Sequence, residues 1–407
     1  MSERGRLDES TIEALSQRIG IPRRRRNRPH HEELTADSFR HYAMGYGDDN
    51  PVFCDPEYAR CTPWGDVIAP PLFPLTAGRS RAVALTPEQE AAMEGGDPLA
   101  GVGEYLSGER WLFARPLLPG TLLERSECID AVELKRSEFG GGVGVLVSNR
   151  LEWTSGSELV CARVTDMWHA ERSGTRSSAS SRAITPTDYT PEDIAELDQL
   201  YESEDVRGND PRYWDIVNVG ESLGAIAKGP LTVTDVITYQ IGVGWGRYGG
   251  GTSKIAYKTR KHIPGVYVAN EQGIPDHVQR CHWDDAWARH LGQPAAFDYG
   301  TMRTNWMVHL VTNWMGDGGW LWKLSASVTK FNYIGDAHVI SGSVTAVRAR
   351  DEVQGEVDVT MEGRNQRGEV TCHASATVLL PQRDGQVEVP EMNPADIPPP
   401  NDPPEDR

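Results

Sequence analysis

Apolar residues change their spacing along the chain, and the change occurs twice in the same order. Between Leu34 and Met44, Phe39, Tyr42 and Ala43 fall on one face of a helix. From about residue 110 the pattern becomes that of strands over 111–113, 122–132, 143–153 and 159–167, separated by Gly and Pro turns as an antiparallel sheet requires. Met302, Trp306, Leu310 and Trp314 then recur at helical spacing, and strand patterns return over 321–381. A short helix over 9–20 is ended by Gly20 and Pro22. Another opens at Thr190-Pro191-Glu192-Asp193, with Thr as N-cap and Pro in the first turn, and is expected to run through Tyr201 between the two halves.

The residues themselves repeat. Phe53-Cys54-Asp55-Pro56-Glu57-Tyr58-Ala59 shares its frame with His282-Trp283-Asp284-Asp285-Ala286-Trp287-Ala288. Leu34-Thr35-Ala36-Asp37 corresponds to Val233-Thr234-Asp235, and Gly45-Tyr46-Gly47-Asp48 to Gly242-Val243-Gly244-Trp245. Near the ends of the halves Glu158 and Cys161 match Glu369 and Cys372. The chain reads as a diverged tandem repeat. Its parts are a first domain over 1–170, a linker and connecting helix over 171–212, a second domain over 213–382, and a disordered, Pro- and Asp-rich tail over 383–407. The second half carries an insert of about 36 residues between Trp245 and His282, with Gly249-Gly250-Gly251, Lys254, Lys258, Arg260, Lys261, His262, Asp276 and His277. Such an insert serves as a lid, a binding loop or a packing excursion.

A chain of 407 residues has room for two such domains. Its net charge of −18 argues against a nucleic-acid surface, which needs clustered Lys and Arg. The one basic run, Arg23 to Arg28, reads first as a solvated arm and second as a clamp for phosphates. Six cysteines show no CxxC or zinc spacing, no Gly-rich phosphate loop is present, and no apolar run approaches a membrane span. These features imply a soluble, cytoplasmic protein with reduced thiols, no metal and no cofactor.

The stretch Gly47-Asp48-Asp49-Asn50-Pro51-Val52-Phe53-Cys54-Asp55 resembles the active-site segment of MaoC-like acyl dehydratases and (R)-specific enoyl-CoA hydratases, G-D-x-N-P-x-H-x-D. Phe53 stands where that family keeps its histidine. The second half holds the histidine position as His282 and aligns Trp245 with the acid. The resemblance implies an α+β, double hot-dog protein: two antiparallel sheets, each wrapped around a central helix, the first helix beginning near Val67 to Phe73 and the second after Asp298-Tyr299-Gly300. It implies reversible addition of water to a trans-2-enoyl thioester carried by CoA or an acyl-carrier protein. His282 becomes the base, with Asp276, Asp48 or Asp298 as carboxylate partner. Gly300 and Thr301 would hold the thioester carbonyl through helix N–H groups, with Tyr299 and Arg303 flanking it. Loss of the ordinary dyad leaves two alternatives open. One is a cyclase of secondary metabolism; the other is a non-catalytic hot-dog subunit that completes the site of a second hot-dog protein. The chain's expected partners are an acyl-CoA or acyl-carrier-protein substrate and a second copy in a homodimer or a hot-dog partner subunit, with no nucleic acid and no membrane.

Overall fold

A computed structural model describes residues 7–23, 28–137, 142–171, 184, 187–244 and 251–401. The first half comprises α1 (Glu9–Ser16), α2 (Ala36–Gly45), α3 (Pro51–Cys54), α4 (Pro56–Ala59), β1 (Arg79–Ser80), α5 (Pro87–Met93), β2 (Gly103–Phe113), β3 (Glu124–Ser137), β4 (Gly142–Ser155) and β5 (Glu158–Ala170). After α6 (Pro191–Glu202) and β6 (Ser222–Lys228), the second half continues with α7 (Val233–Val243), α8 (Ser253–His262), β7 (Tyr267–Ala269), β8 (Pro275–His277) and α9 (Asp285–His290). It ends with α10 (Gly300–Met315), β9 (Trp320–Val328), β10 (His338–Ala349), β11 (Gln354–Asn365) and β12 (Val370–Pro381).

Instead of a separate sheet for each half, one continuous sheet carries both, and β7 and β8 pair apart from it as a two-stranded sheet. Ten strands run in the order β1-β3-β4-β5-β2-β9-β12-β11-β10-β6, mixed in direction because β1 pairs with β3 in parallel. The halves fuse where β2 meets β9 antiparallel, with Trp111 opposite Leu324 and Gly108 opposite Ser327. Outward from that seam the order β2-β5-β4-β3 is repeated by β9-β12-β11-β10, so the tandem repeat is visible in the topology. The seam suits fusion because Trp111, Leu112, Leu324 and Ala326 are all buried and bring two edges into one core.

The two halves differ most in their central helix. Residues Met302–Met315 of α10 are buried throughout, packed against β6 and β9 to β12, as the spacing of Met302, Trp306, Leu310 and Trp314 predicts. The first half has no equivalent: the helix expected from Val67 onward is a loop followed by one 3₁₀ turn, Phe73–Thr76. Pro70, Pro71 and Pro74 account for this, since each lacks an N–H donor and disfavours helix at the residue before it.

A pair of helices, one from each half, also joins the halves. Gly45 of α2 and Gly242 of α7 face each other so closely that a Cβ built on Gly242 would lie 3.0 Å from the Gly45 Cα, which explains why both halves hold glycine at this aligned position. The connecting helix α6 starts as expected, with Thr190 and Asp193 forming a capping box, but it has no buried residue. It lies over β6 in place of an interior position between the halves. The segment after 383 is not loose through 401. Trp322 Nε1 donates to Met392 Sδ at 2.7 Å, Arg150 donates to the Pro394 carbonyl and Asn401 to that of Ser325, while Val387, Val389 and Ile397 pack on the core.

Candidate active site

Local backbone bonds fix the loop of the first half. Asn50 N–H donates to Asp48 Oδ1 at 3.0 Å, Asp55 N–H donates to the Pro51 carbonyl, and Asp55 caps α4. The same three bonds recur in the second half with the same spacing. Gln279 N–H donates to His277 Nδ1 at 3.2 Å, Asp284 N–H to the Arg280 carbonyl at 2.7 Å, and Asp284 caps α9. Phe53 therefore corresponds to His282 without a gap, Asn50 to Gln279, and Asp48 to His277. This corrects the alignment of Trp245 with the acid; Trp245 itself lies outside the described residues, as do Arg24 to Arg26 of the basic run and Gly249 and Gly250 of the insert.

His282 is half-buried and locked in place. Its Nδ1 lies 2.8 Å from the Phe297 carbonyl, and its ring stacks on Tyr299 at 3.7 Å between centroids. A carbonyl can only accept, so Nδ1 carries the proton and Nε2 keeps its lone pair. Burial lowers the imidazole pKa to about 4, opposed by the backbone contacts with Phe297 and Asp298. The ring is thus a neutral imidazole at ordinary pH. Tyr299, on which it stacks, is the N-cap of α10 and makes no side-chain capping bond, so the first-turn N–H groups have no side-chain acceptor from the cap. Tyr299 also donates through its hydroxyl to Gln279 Oε1 at 3.2 Å, drawing the loop of His277 and Gln279 to the same turn.

The first turn of α10 is further pinned from α7 and α2. Tyr239 donates to Thr301 Oγ1 at 2.8 Å, Asn305 to the Thr301 carbonyl at 2.8 Å, and Tyr42 to Asn305 Oδ1 at 3.2 Å. Gly300 sits against β2, where an added Cβ would come 2.8 Å from Leu106 Cδ2. Glycine is needed here for close approach, not for its backbone angles.

The three carboxylates have other partners. Asp298 is buried and gripped by Arg303, with Nε 2.9 Å from Oδ2 and Nη2 3.1 Å from Oδ1, while Asn332 donates to Oδ2. Burial raises its pKa to about 6 against the pull of Arg303. Arg303 thus lies behind the helix start, also bonded to the Thr371 carbonyl. Asp276 accepts from the N–H of His277 at 2.7 Å. Asp48 accepts from Tyr46 Oη at 2.9 Å and lies 3.5 Å from His309 Nε2 of α10. His309 in turn meets Glu204 at 2.9 Å and Lys228 Nζ at 2.8 Å, forming a buried polar junction between the linker and both halves. Burial lowers the Lys228 pKa and raises that of Tyr46. No sequence pattern pointed to His309, Glu204 or Lys228, because their meeting is long-range. His277 was readable by counting five residues back from His282.

A pocket with about 600 Å³ of empty volume, part of it open solvent, is lined by Phe53, Trp64, Phe113, Leu117, Met315 and Trp320. It lies at the C-terminal end of α10, the far end of the helix from His282. Among the described residues no helix is long and apolar enough to cross a membrane.

Comparison with known proteins agrees with this architecture. Residues 25–163 match the family described as the FAS1-like dehydratase domain region. A UPF0336 protein of Thermobifida fusca is 26% identical over 133 residues, 32% of this chain and 80% of the relative. Among solved structures, a MaoC-like dehydratase superposes with a TM-score of 0.58 at 17% identity, covering 89% of this chain and 99% of its own. A MaoC domain protein dehydratase from Chloroflexus aurantiacus J-10-fl gives 0.51 at 12% identity, covering 89% and 96%. The fold is that of the MaoC-like dehydratases in a two-domain form, and the resemblance carried by the Gly47–Ala59 motif is borne out.

Proposed function

We propose that this protein is an acyl-thioester hydro-lyase whose reaction centre lies in the second half, at His282 and the N-terminus of α10. One observation carries the reading: an imidazole with its proton on Nδ1 is stacked on Tyr299, the N-cap of α10, whose side chain makes no capping bond. In the hydration direction, His282 Nε2 takes a proton from water while the oxygen bonds to the β-carbon of a trans-2-enoyl thioester. The displaced electron pair moves to the thioester oxygen, which the Gly300 and Thr301 N–H groups hold as an enolate. The imidazolium then returns its proton to the α-carbon, and water has been added with no net change in the enzyme. The thioester is carried by CoA or an acyl-carrier protein. Tyr299 orients the base, and Arg303 with Asp298 braces the helix start from behind.

The test is loss of conjugated absorbance when the protein meets trans-2-enoyl-CoA thioesters with short, branched and aromatic acyl groups. Turnover that falls at least about 100-fold in His282→Ala supports the reading. Folded wild-type protein that turns over none of them contradicts it.

A further inference from the structure

The insert carries a helix that the proposed reaction does not use. α8 has no buried residue. Its Lys254, Lys258 and Lys261 recur at spacings of four and three residues, so they form a stripe about 10 Å long on one face. Arg260 adds a fourth cation, and residues 251–270 hold no Asp or Glu in a chain of net charge −18. Among the described residues none of these four makes an ion pair; Arg260 and Lys261 instead lie over the Tyr257 ring, 5.3 and 4.8 Å from its centroid. Like charges so spaced repel one another along a helix, so the stripe gains from an anionic partner. Ile255 and Tyr257, 61% and 43% exposed, flank it. The helix is also tethered near the candidate reaction centre. From His262, which ends α8, to Val268 of β7 is six residues, a span of at most roughly 22 Å. Val268 is tied to the His282 loop, because its carbonyl accepts from Arg280 Nη1 at 2.9 Å.

We infer that α8 is the docking surface for an acidic acyl-carrier protein, which presents its enoyl thioester to His282. This rests on the hydro-lyase reading of the His282 site and names the carrier. A phosphopantetheine arm brings the thioester in on either carrier, and an extended arm has a length of the same order as the tether between α8 and the His282 loop. The shape of α8 favours the protein carrier. A free nucleotide binds in a concave site, whereas α8 presents a convex helix face with ammonium groups spread over two turns. A carrier surface rich in carboxylates meets that face along its length, with Ile255 and Tyr257 supplying apolar contact beside the charges. The rest of this acidic chain repels such a partner, so charge sets the side from which it approaches as well as its rate of arrival.

The test compares one enoyl group on two carriers, CoA and the acidic acyl-carrier protein of the host's fatty-acid synthase. The variant is the full chain with Lys254→Glu, Lys258→Glu and Lys261→Glu together, all on an exposed face. On the protein carrier it is expected to lose at least about tenfold in kcat/KM, and on CoA to stay within about twofold of wild type. Wild-type kcat/KM on the protein carrier should also fall as ionic strength rises. A variant that keeps its rate on the protein carrier, an equal loss on both carriers, or a wild type that accepts only CoA overturns the inference and leaves the hydro-lyase reading intact. If wild type turns over neither thioester, that reading fails, and calorimetric titration with the apo carrier protein decides the docking surface by itself. Binding by wild type that the variant loses supports it. No binding by wild type, or binding to vesicles of anionic phospholipid but not to the carrier protein, overturns it.

Discussion

Asp48 and His309 lie 3.5 Å apart across the junction of the two halves, the first from the motif loop and the second from the middle of α10. The motif acid thus has an imidazole partner, but one buried with Glu204, Lys228 and Tyr46 and about nine residues along the helix from its N-terminus. This cluster holds the linker and both domains together. Asp48→Asn is expected to lower unfolding stability by about 1–3 kcal/mol, because it leaves buried donors without a charged acceptor. The same variant should keep turnover within about threefold of wild type. Urea denaturation and the hydration assay, run on one preparation, check both; a large loss of turnover at unchanged stability would return Asp48 to the reaction.

The approach of Gly300 to Leu106 gives a test of the helix start. Gly300→Ala puts a methyl 2.8 Å from Leu106 Cδ2 and pushes the first turn away from β2. An overpacking cost of about 1–3 kcal/mol in stability is expected, with reduced turnover. Leu106→Ala in the same chain should restore much of both. A double-mutant cycle that shows no coupling contradicts the contact.

Acid should weaken the fold. His31, His169 and His282 have their pKa lowered to about 4 and His338 to about 3, in each case first by burial. Between the unfolded value near 6.5 and these folded values the unfolded chain binds more protons, so stability falls as pH drops through that window. Asp298 acts in the opposite sense, since burial raises its pKa to about 6 and the folded state binds the extra proton. Burial raises the Asp317 pKa in the same sense, and the four imidazoles outweigh these two carboxyls. The urea midpoint should therefore decline steadily from pH 6.5 toward pH 4, and a midpoint that rises over that range contradicts the assignment.

Restoring the family histidine in the first half should not create a second centre. Phe53 is buried beside the apolar pocket, and the first half has only the Phe73–Thr76 turn where the second half has α10. An imidazole at position 53 would lack helix N–H groups to hold an enolate and would bury polar nitrogens. Phe53→His is expected to cost about 1–3 kcal/mol in stability and to add no turnover in a His282→Ala background. Measurable recovery of activity in that double variant contradicts this.

The sequence made the repeat legible because its markers are local. The frame from Phe53 to Ala59, the helical spacing from Met302 to Trp314 and the Thr190 cap each report on a few neighbouring residues, and each has its counterpart in the structure. The absence of the first helix is also local, because Pro70, Pro71 and Pro74 disfavour it within a few residues. Other features depend on distant partners. Fusion of the sheets needs β2 to find β9, and the Asp48 junction needs Glu204, Lys228 and His309, which are scattered over the chain. His277 falls between these cases: its spacing from His282 is local, but the insert before it hides the register that the matched backbone bonds define.

The most direct measurement is the rate of enoyl-CoA hydration by wild type and His282→Ala under one set of conditions. The account predicts turnover by wild type and a loss of at least about 100-fold in the variant, with the variant's stability close to that of wild type. Equal rates in the two proteins, or no turnover by folded wild type on any acyl group, would contradict the assignment of the reaction centre to His282 and the start of α10.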